Sequence, residues 1–260
     1  MSAVNEQEAP QGGAAREFLM LTFAGGLFVA VVLVAVLGSG AGLPLWALWP
    51  TIIAFVVARR RGIAITGWGL AVLDRRALLG PALAVVVIAV VMVLRAALIG
   101  SPAAGLSEDT VPTLLYVLIT LPLFALMGVI TEVPWRGLLL TELAPRGLVS
   151  AIAWSSLAAL LWMAPRTIAG LAGAGMALVA LALLSLTAFH LVAGWLRVRT
   201  GSIYASTGFY AVWMSVASRG PADHDPAAMA IGVTVLVLTA AILLGLRLPR
   251  KEQLPSWARR

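Results

Sequence analysis

Long apolar runs without a charged side chain recur along this chain and restrict what it can fold into. Residues 18–38 form the first of these runs. A helix of about 20 apolar residues crosses a bilayer, and a single segment in lipid must satisfy its own backbone groups. Only 11% of the residues are charged, compared with roughly a quarter in soluble domains. The sequence therefore predicts an all-α, polytopic transmembrane helix bundle and excludes soluble or disordered chains.

About eight spans are predicted within a single bundle that covers residues 18–246. A polar cytoplasmic tail over residues 1–17 precedes the bundle, and a basic cytoplasmic tail over residues 247–260 follows it. Small residues recur along the sixth span and are interpreted as close-packing positions between helices: Gly170, Gly173, Gly175, Ala177, Ala180 and Ala182. The predicted spans are residues 18–38, 43–58, 78–99, 112–130, 148–165, 167–192, 201–217 and 228–246.

The basic residues predict the orientation of these spans. With the N-terminus inside, all but three of the 18 Lys and Arg residues fall in inside segments. Arg166 and Arg219 fall outside, and Arg95 falls within a span. The positive-inside rule therefore predicts a multi-pass protein of the cell membrane with both termini cytoplasmic. Because the net charge of +7 is explained by this distribution, the bilayer is an expected partner and nucleic acid is not.

The chain contains no cysteine and only two histidines, His190 and His224, which limits its chemistry. Disulfides, thiolate nucleophiles and cysteine-bound metals are excluded. The stretch Asp223-His224-Asp225 is interpreted as a solvated outer loop rather than a cation site. The sequence also lacks a P-loop, a dinucleotide-binding fingerprint, an H-E-x-x-H helix and a nucleophile elbow.

Ionisable side chains at membrane depth are costly, so each one is a functional candidate. Glu132 and Arg136 lie four residues apart, which is the spacing of a helical ion pair. Two interpretations stay open for them: a structural pair, or part of an active site that faces a polar cavity. His190 is either hydrogen-bonded to a neighbouring helix or a proton relay or metal ligand. Arg95 is expected to be paired or to extend towards the interface.

Four stretches in order resemble the motifs of one membrane family. Residues 131–140, Thr-Glu-Val-Pro-Trp-Arg-Gly-Leu-Leu-Leu, resemble the E-E-x-x-x-R-G segment of the CPBP family of CAAX proteases and bacteriocin-processing proteins. Residues 162–165, Trp-Met-Ala-Pro, are similar to its W-H-x-P ending. Residues 194–205 resemble the approach to its last motif, and residues 210–214 fall where H-x-x-x-N would stand. The resemblance covers a core of about residues 110–217.

The resemblance implies an eight-helix intramembrane endopeptidase, a hydrolase. In the family, the first Glu activates water, and two His and an Asn hold a metal or stabilise the oxyanion. These positions carry Thr131, Met163, Tyr210 and Met214 in this chain. Threonine is no general base at neutral pH, methionine is a weak zinc ligand, and catalytic zinc needs about three good protein donors.

Two positions match the family's catalytic motif, Glu132 and Arg136, and they are the catalytic candidates by resemblance alone. Ala159 replaces the family's Phe. Pro134 is a further departure, since proline disturbs a helix. We expect a catalytically degenerate pseudoenzyme that acts as a membrane binding or regulatory protein on a membrane-associated peptide or protein. This hypothesis predicts no metal and no other cofactor.

Two alternatives remain. The first is a divergent metallopeptidase that uses Glu132 with His190 or Tyr210 as an auxiliary, with zinc if the family mechanism survives. The second is a small-molecule transporter, which ranks last because the sequence lacks paired discontinuous helices in two halves.

Overall fold

The computed structural model describes residues 13–46, 48–71, 73–99, 110–171, 173, 175–217 and 226–246. Helices and turns account for these ranges, which contain no β-strand, so the predicted all-α class is confirmed. One π-helical segment, Val133–Leu139, continues α4, and 3₁₀ turns cover Ile65–Trp68, Arg75–Leu78 and Ala144–Arg146. The α-helices are α1 (Gly13–Trp46), α2 (Trp49–Arg61), α3 (Leu79–Ile99), α4 (Thr110–Glu132), α5 (Leu140–Leu143), α6 (Leu148–Gly170), α7 (Met176–Thr200), α8 (Ile203–Ala217) and α9 (Pro226–Gly245).

Several of these helices are long and apolar enough to cross a membrane. Large apolar side chains are exposed on the outside of the bundle, as lipid contact requires, and Met176 is 85% exposed. The chain is a multi-pass membrane protein; eight spans and cytoplasmic termini stay predictions. The candidate spans among the described residues are Gly13–Leu33, Arg75–Ile99, Leu115–Arg146, Leu148–Gly170 and Met176–Thr200, and Met229–Gly245 is a shorter apolar helix.

Two helix boundaries differ from the predicted spans. α1 begins at Gly13 and continues past the predicted turn after residue 38. α6 runs through Arg166, where a loop was predicted, and the division between the fifth and sixth spans at that residue was wrong. An arginine near a helix end can reach the interface while its backbone stays helical, so it does not mark a break.

The glycines after α6 form a turn instead of a helix contact. Gly173 and Gly175 adopt positive φ values of 91° and 86° between α6 and α7. Side chains disfavour this left-handed region, whereas glycine adopts it readily. Their interpretation as packing positions was therefore wrong, and the same residues mark the true start of α7 at Met176.

The buried apolar side chains form two clusters that meet inside the bundle. The first cluster is built mainly from α1, α2, the π segment and α6, and the second from α3, α7, α8 and α9. Leu191 and Leu244 pack against both clusters. The helices α4 and α8 contact each other extensively, as do α7 and α9. The π segment contacts α7 through the bond of Arg136 to the His190 carbonyl.

The start of α3 lies unusually close to the start of α8. A Cβ atom built on Gly80 would lie 1.7 Å from the carbonyl oxygen of Ala205, which is backbone and has little freedom to move aside. Gly232, inside α9, is a contrasting case, because a Cβ there would meet only Val91 Cγ1 at 4.0 Å. Small residues permit such close approach between membrane helices.

We expect Gly80→Ala to separate α3 from α8 and to destabilise the fold by about 1–3 kcal/mol, the usual cost of overpacking. The matched Gly232→Ala variant is expected to unfold at or above the wild-type temperature, because alanine favours helix. Thermal unfolding of the purified proteins in one detergent measures both. Equal transition temperatures for the two variants would contradict the close approach at Gly80.

Candidate functional site

The backbone widens directly after Glu132, in the π segment. The N–H of Leu140 donates to the carbonyl of Trp135, five residues earlier, which is the π-helical pattern. Pro134 has no N–H, so the carbonyl of Ile130 loses its α-helical donor. The hydroxyl of Thr51 in α2 donates to that carbonyl instead. The disturbance predicted at Pro134 thus takes the form of a widened turn that is bonded to a neighbouring helix.

The guanidinium of Arg136 is fully buried and contacts three parts of the bundle. Its Nε lies 3.6 Å from Oε2 of Glu132, one helical turn earlier. Its Nη1 donates to the hydroxyl of Ser155 in α6 at 3.2 Å. Its Nη2 donates to the backbone carbonyl of His190 in α7 at 2.6 Å. The predicted pair of Glu132 and Arg136 therefore exists, and it is the centre of a larger cluster.

His190 is a partner of Arg136 through its ring as well as its backbone. The ring nitrogen Nδ1 lies 3.2 Å from Nη2 of Arg136. Because a guanidinium only donates, Nδ1 accepts, and we assign the proton of the neutral ring to Nε2. The hydroxyl of Ser156 also donates to the His190 carbonyl, at 3.0 Å. Of the two interpretations of this histidine, the structure shows the hydrogen bond to a neighbouring element.

Glu132 is 1% exposed and lies near Ser206 of α8, whose hydroxyl donates to the carbonyl of Ile203 in its own helix at 2.9 Å. The 3.6 Å separation from Arg136 gives an ion pair but exceeds hydrogen-bond length. Glu132 Oε2 and Arg136 Nε have no hydrogen-bond partner among the described residues. The pair therefore balances its charges, while Glu132 Oε2 and Arg136 Nε can each still take a hydrogen-bond partner.

A second buried arginine supports the first. Arg197 in α7 is fully buried, and its Nε donates to the backbone carbonyl of Arg136 at 3.3 Å. Its Nη2 donates to the carbonyl of Gly67 at 2.8 Å, which ties the 3₁₀ turn Ile65–Trp68 to the π segment. The predicted sixth span ends at residue 192, so Arg197 was expected beyond it, whereas α7 continues to Thr200 and buries Arg197. Its position seven residues after His190, two helical turns along one face, was the available signal.

The side chains that the resemblance aligns with the family's other motif positions make no polar contact with Arg136 among the described residues. The Thr131 hydroxyl donates to the carbonyl of Met127 in its own helix at 3.0 Å. Met163 is half-buried against the first apolar cluster. Met214 is half-buried in α8. Ala159 is fully buried.

Tyr210 lies on the α8 face that packs against α4. A Cβ built on Gly128 would lie 3.1 Å from its Cδ1, and its ring meets that of Phe189 edge-on at 5.9 Å. The ring is also within electrostatic range of Glu132. Tyr210 therefore lies beside the cluster, and no hydrogen bond joins it to Arg136 among the described residues.

Four further residues singled out from the sequence are not in this cluster as described. Arg95 is half-buried in α3, within a span as predicted. Asp223, His224 and Asp225 lie outside the described residues. Sequence reasoning missed Ser155, Ser156 and Ser206, because hydroxyls in apolar spans usually bond their own helix.

The cluster does not fit a catalytic zinc ion. In the described part of the chain, no three His, Cys, Asp or Glu side chains are grouped as a metal site needs. Glu132 and His190 each contact the Arg136 guanidinium, at 3.6 Å and 3.2 Å. A fixed positive charge at these distances repels a divalent cation, and the protonated Nε2 of His190 cannot ligate one.

Comparison with known proteins places this cluster in a family context. Residues 112–216 match the family model described as Rce1-like, type II CAAX prenyl endopeptidase Rce1-like. The match confirms the resemblance to the CPBP family that we drew for residues 110–217. None of the curated proteins matches the chain.

The bond from Thr51 to the Ile130 carbonyl makes a testable link between α2 and the π segment. We expect Thr51→Val to lower the free energy of unfolding by about 1 kcal/mol, because it leaves a half-buried carbonyl without a donor. Pro134→Ala restores a backbone N–H near that carbonyl, so Thr51→Val should cost less in the Pro134→Ala background.

Thermal unfolding of the four proteins in this cycle measures the coupling. Thr187→Val is the matched control, because the Thr187 hydroxyl donates to Leu183 within α7, whose carbonyl belongs to a regular helix. An equal loss of stability from Thr51→Val in both backgrounds would show that Pro134 does not create the need for Thr51.

The ion pair of Glu132 and Arg136 makes a second prediction. Arg136→Gln leaves a buried carboxylate without its cation, and breaking such a pair costs about 3–5 kcal/mol. The double variant Glu132→Gln/Arg136→Gln removes both charges and should be more stable than Arg136→Gln alone. Unfolding temperatures test this order, with Arg59→Gln at an exposed arginine as the control. If the stability losses of Arg136→Gln and Glu132→Gln simply added in the double variant, the two residues would not be coupled.

Proposed function

Since residues 112–216 carry the Rce1-like match, we propose that this membrane protein has the scaffold of a CAAX prenyl endopeptidase without its catalytic set. It acts as a membrane binding or regulatory protein. The observation that supports this proposal most is the mutual bonding of Arg136 and His190. The histidine, which is the sole buried imidazole among the described residues, accepts from Arg136 through Nδ1 and its backbone carbonyl. Its Nε2 has no hydrogen-bond partner among the described residues, and a fixed positive charge lies beside the ring.

The remaining positions support the same proposal by their chemistry. A catalytic base must lie within hydrogen-bond reach of the proton that it removes. At the first of these positions, the Thr131 hydroxyl is bonded within its own helix. At the others, Met163 and Met214 offer thioethers, which are weak zinc ligands. No metal and no other cofactor belongs to the proposal.

A membrane-associated peptide or protein is the proposed partner. The matching family is described as a prenyl endopeptidase, so a prenylated peptide is the first ligand to test. Eight spans with both termini in the cytoplasm complete the proposal. They place the cluster of Glu132, Arg136 and His190 in a bundle whose basic ends face the cytoplasm.

One observation favours a second candidate, a divergent intramembrane peptidase. Glu132 Oε2 has no hydrogen-bond partner among the described residues, and Tyr210 lies within its electrostatic range. A buried carboxylate with a spare lone pair is the kind of group that activates water. In this candidate Glu132 is the base, and Tyr210 or His190 assists it.

The two candidates give opposite results with a prenylated CAAX peptide. We expect the wild-type protein in lipid nanodiscs to cleave the peptide no faster than Glu132→Ala, and to carry close to zero zinc per chain. Among the described residues, no three metal donors are grouped, and the carboxylate of Glu132 is buried against Arg136. Mass spectrometry of the peptide and elemental analysis of the protein provide the two measurements.

Glu132→Gln is the matched variant, because it keeps the size of the side chain and removes only its charge. Cleavage by the wild type that disappears in Glu132→Gln, while that variant still shows a cooperative unfolding transition above the assay temperature, would establish the divergent peptidase. About one zinc per chain, lost in Glu132→Ala, would contradict the degenerate site directly.

A further inference from the structure

A cleft of about 670 Å³ opens where the start of α3 meets the end of α7. Its volume is within the range of small-ligand sites. The basic part of its lining consists of Arg75 and Arg76 from the 3₁₀ turn before α3, together with Arg199 from the last turn of α7. The apolar part includes Leu79. The remaining lining residues are Leu78, Ala82 and Thr200.

The three arginines of this cleft are exposed, and none of them has an ion-pair partner in the described ranges. Asp74 is the nearest acidic residue in sequence. Its Oδ1 accepts a hydrogen bond from the backbone N–H of Arg76 at 2.8 Å and caps the turn. The carboxylate therefore offsets one charge in part, and the cleft keeps an excess of positive charge towards solvent.

The cleft lies at the ends of two candidate spans, where headgroups are expected. The candidate span Arg75–Ile99 begins in it, and the candidate span Met176–Thr200 ends in it. Its apolar part continues along α3 as an exposed face, where Val86 is 59% exposed and Val93 is 67% exposed. A ligand with an anionic head and an apolar tail matches both parts, whereas free phosphate matches only the basic part.

We propose that this cleft binds an anionic phospholipid, with the phosphodiester at the three arginines and an acyl chain along the exposed face of α3. Guanidinium groups bind phosphate oxygens in a bidentate manner, and basic pockets between membrane helices bind anionic headgroups. The bound lipid bridges the turn before α3 and the end of α7. This proposal is independent of whether the Rce1-like region cleaves peptides.

The test measures retained lipid by native mass spectrometry of the full chain, after exchange into phosphatidylcholine that contains a minor fraction of phosphatidylglycerol. We expect the wild type to retain phosphatidylglycerol selectively. Arg75→Gln/Arg199→Gln should lower that selectivity about 30-fold, from about 1 kcal/mol for each basic residue near a headgroup. The control Arg16→Gln/Arg59→Gln removes two exposed arginines outside the cleft and should keep the selectivity.

Ala82→Trp tests the apolar part without a change in charge, at an exposed position. It should also lower phosphatidylglycerol retention while the unfolding temperature in pure phosphatidylcholine stays at the wild-type value. This variant keeps the proposal testable if the double arginine variant fails to fold.

Two further outcomes would overturn the proposal. An equal loss of selectivity in the Arg16→Gln/Arg59→Gln control would assign the effect to general surface charge. Displacement of the lipid by inorganic phosphate, but not by sodium chloride of equal ionic strength, would assign the cleft to a soluble phosphate. We expect phosphate and chloride at equal ionic strength to change the retention of phosphatidylglycerol equally.

Discussion

A guanidinium that is buried inside a membrane bundle needs its charge and its donors satisfied by protein groups, because lipid offers none. Arg136 meets this need from three directions, through Glu132 of α4, Ser155 of α6 and His190 of α7. Each contact holds a different helix against the π segment. Arg197 adds a bond to the Arg136 carbonyl and another to the turn that contains Gly67. The arrangement of the helices around the cluster therefore follows from the cost of one buried positive charge.

Pro134 shows how a single residue in a helix creates a contact between two helices. Pro134 withdraws a backbone donor from Ile130, the π turn widens, and Thr51 of α2 donates to the free carbonyl. The next glycine, Gly137, lets the wider turn lie against Trp68, where a Cβ would come within 3.3 Å of the indole side chain. A proline that breaks the family's pattern is therefore compatible with a membrane helix, since neighbouring groups satisfy the backbone that it frees.

Sequence alone predicted the fold class and the Glu132–Arg136 pair, since apolar run length and a four-residue spacing are local properties. It failed at α6, where Arg166 was interpreted as a loop residue, and at Arg197, which lies within a helix and is buried. Whether an arginine at a span end faces water or protein depends on its neighbours in space. The partners Ser155 and Ser156 were missed for the same reason, because only the packing of α6 on α7 turns these hydroxyls towards Arg136 and His190.

The arginine cluster and the basic cleft are connected through α7. Arg197 holds the π segment from one face of this helix, and Arg199, two residues on, points to the cleft at its exposed end. Both groups act on the last turns of α7, which begin just after His190. A lipid that fixes the end of α7 against the turn before α3 also fixes the position from which Arg197 reaches the carbonyl of Arg136. Under the proposed function, headgroup chemistry thus bears on the geometry of the buried cluster, and a binding protein built in this way responds to the lipid around it without any change in its own charge.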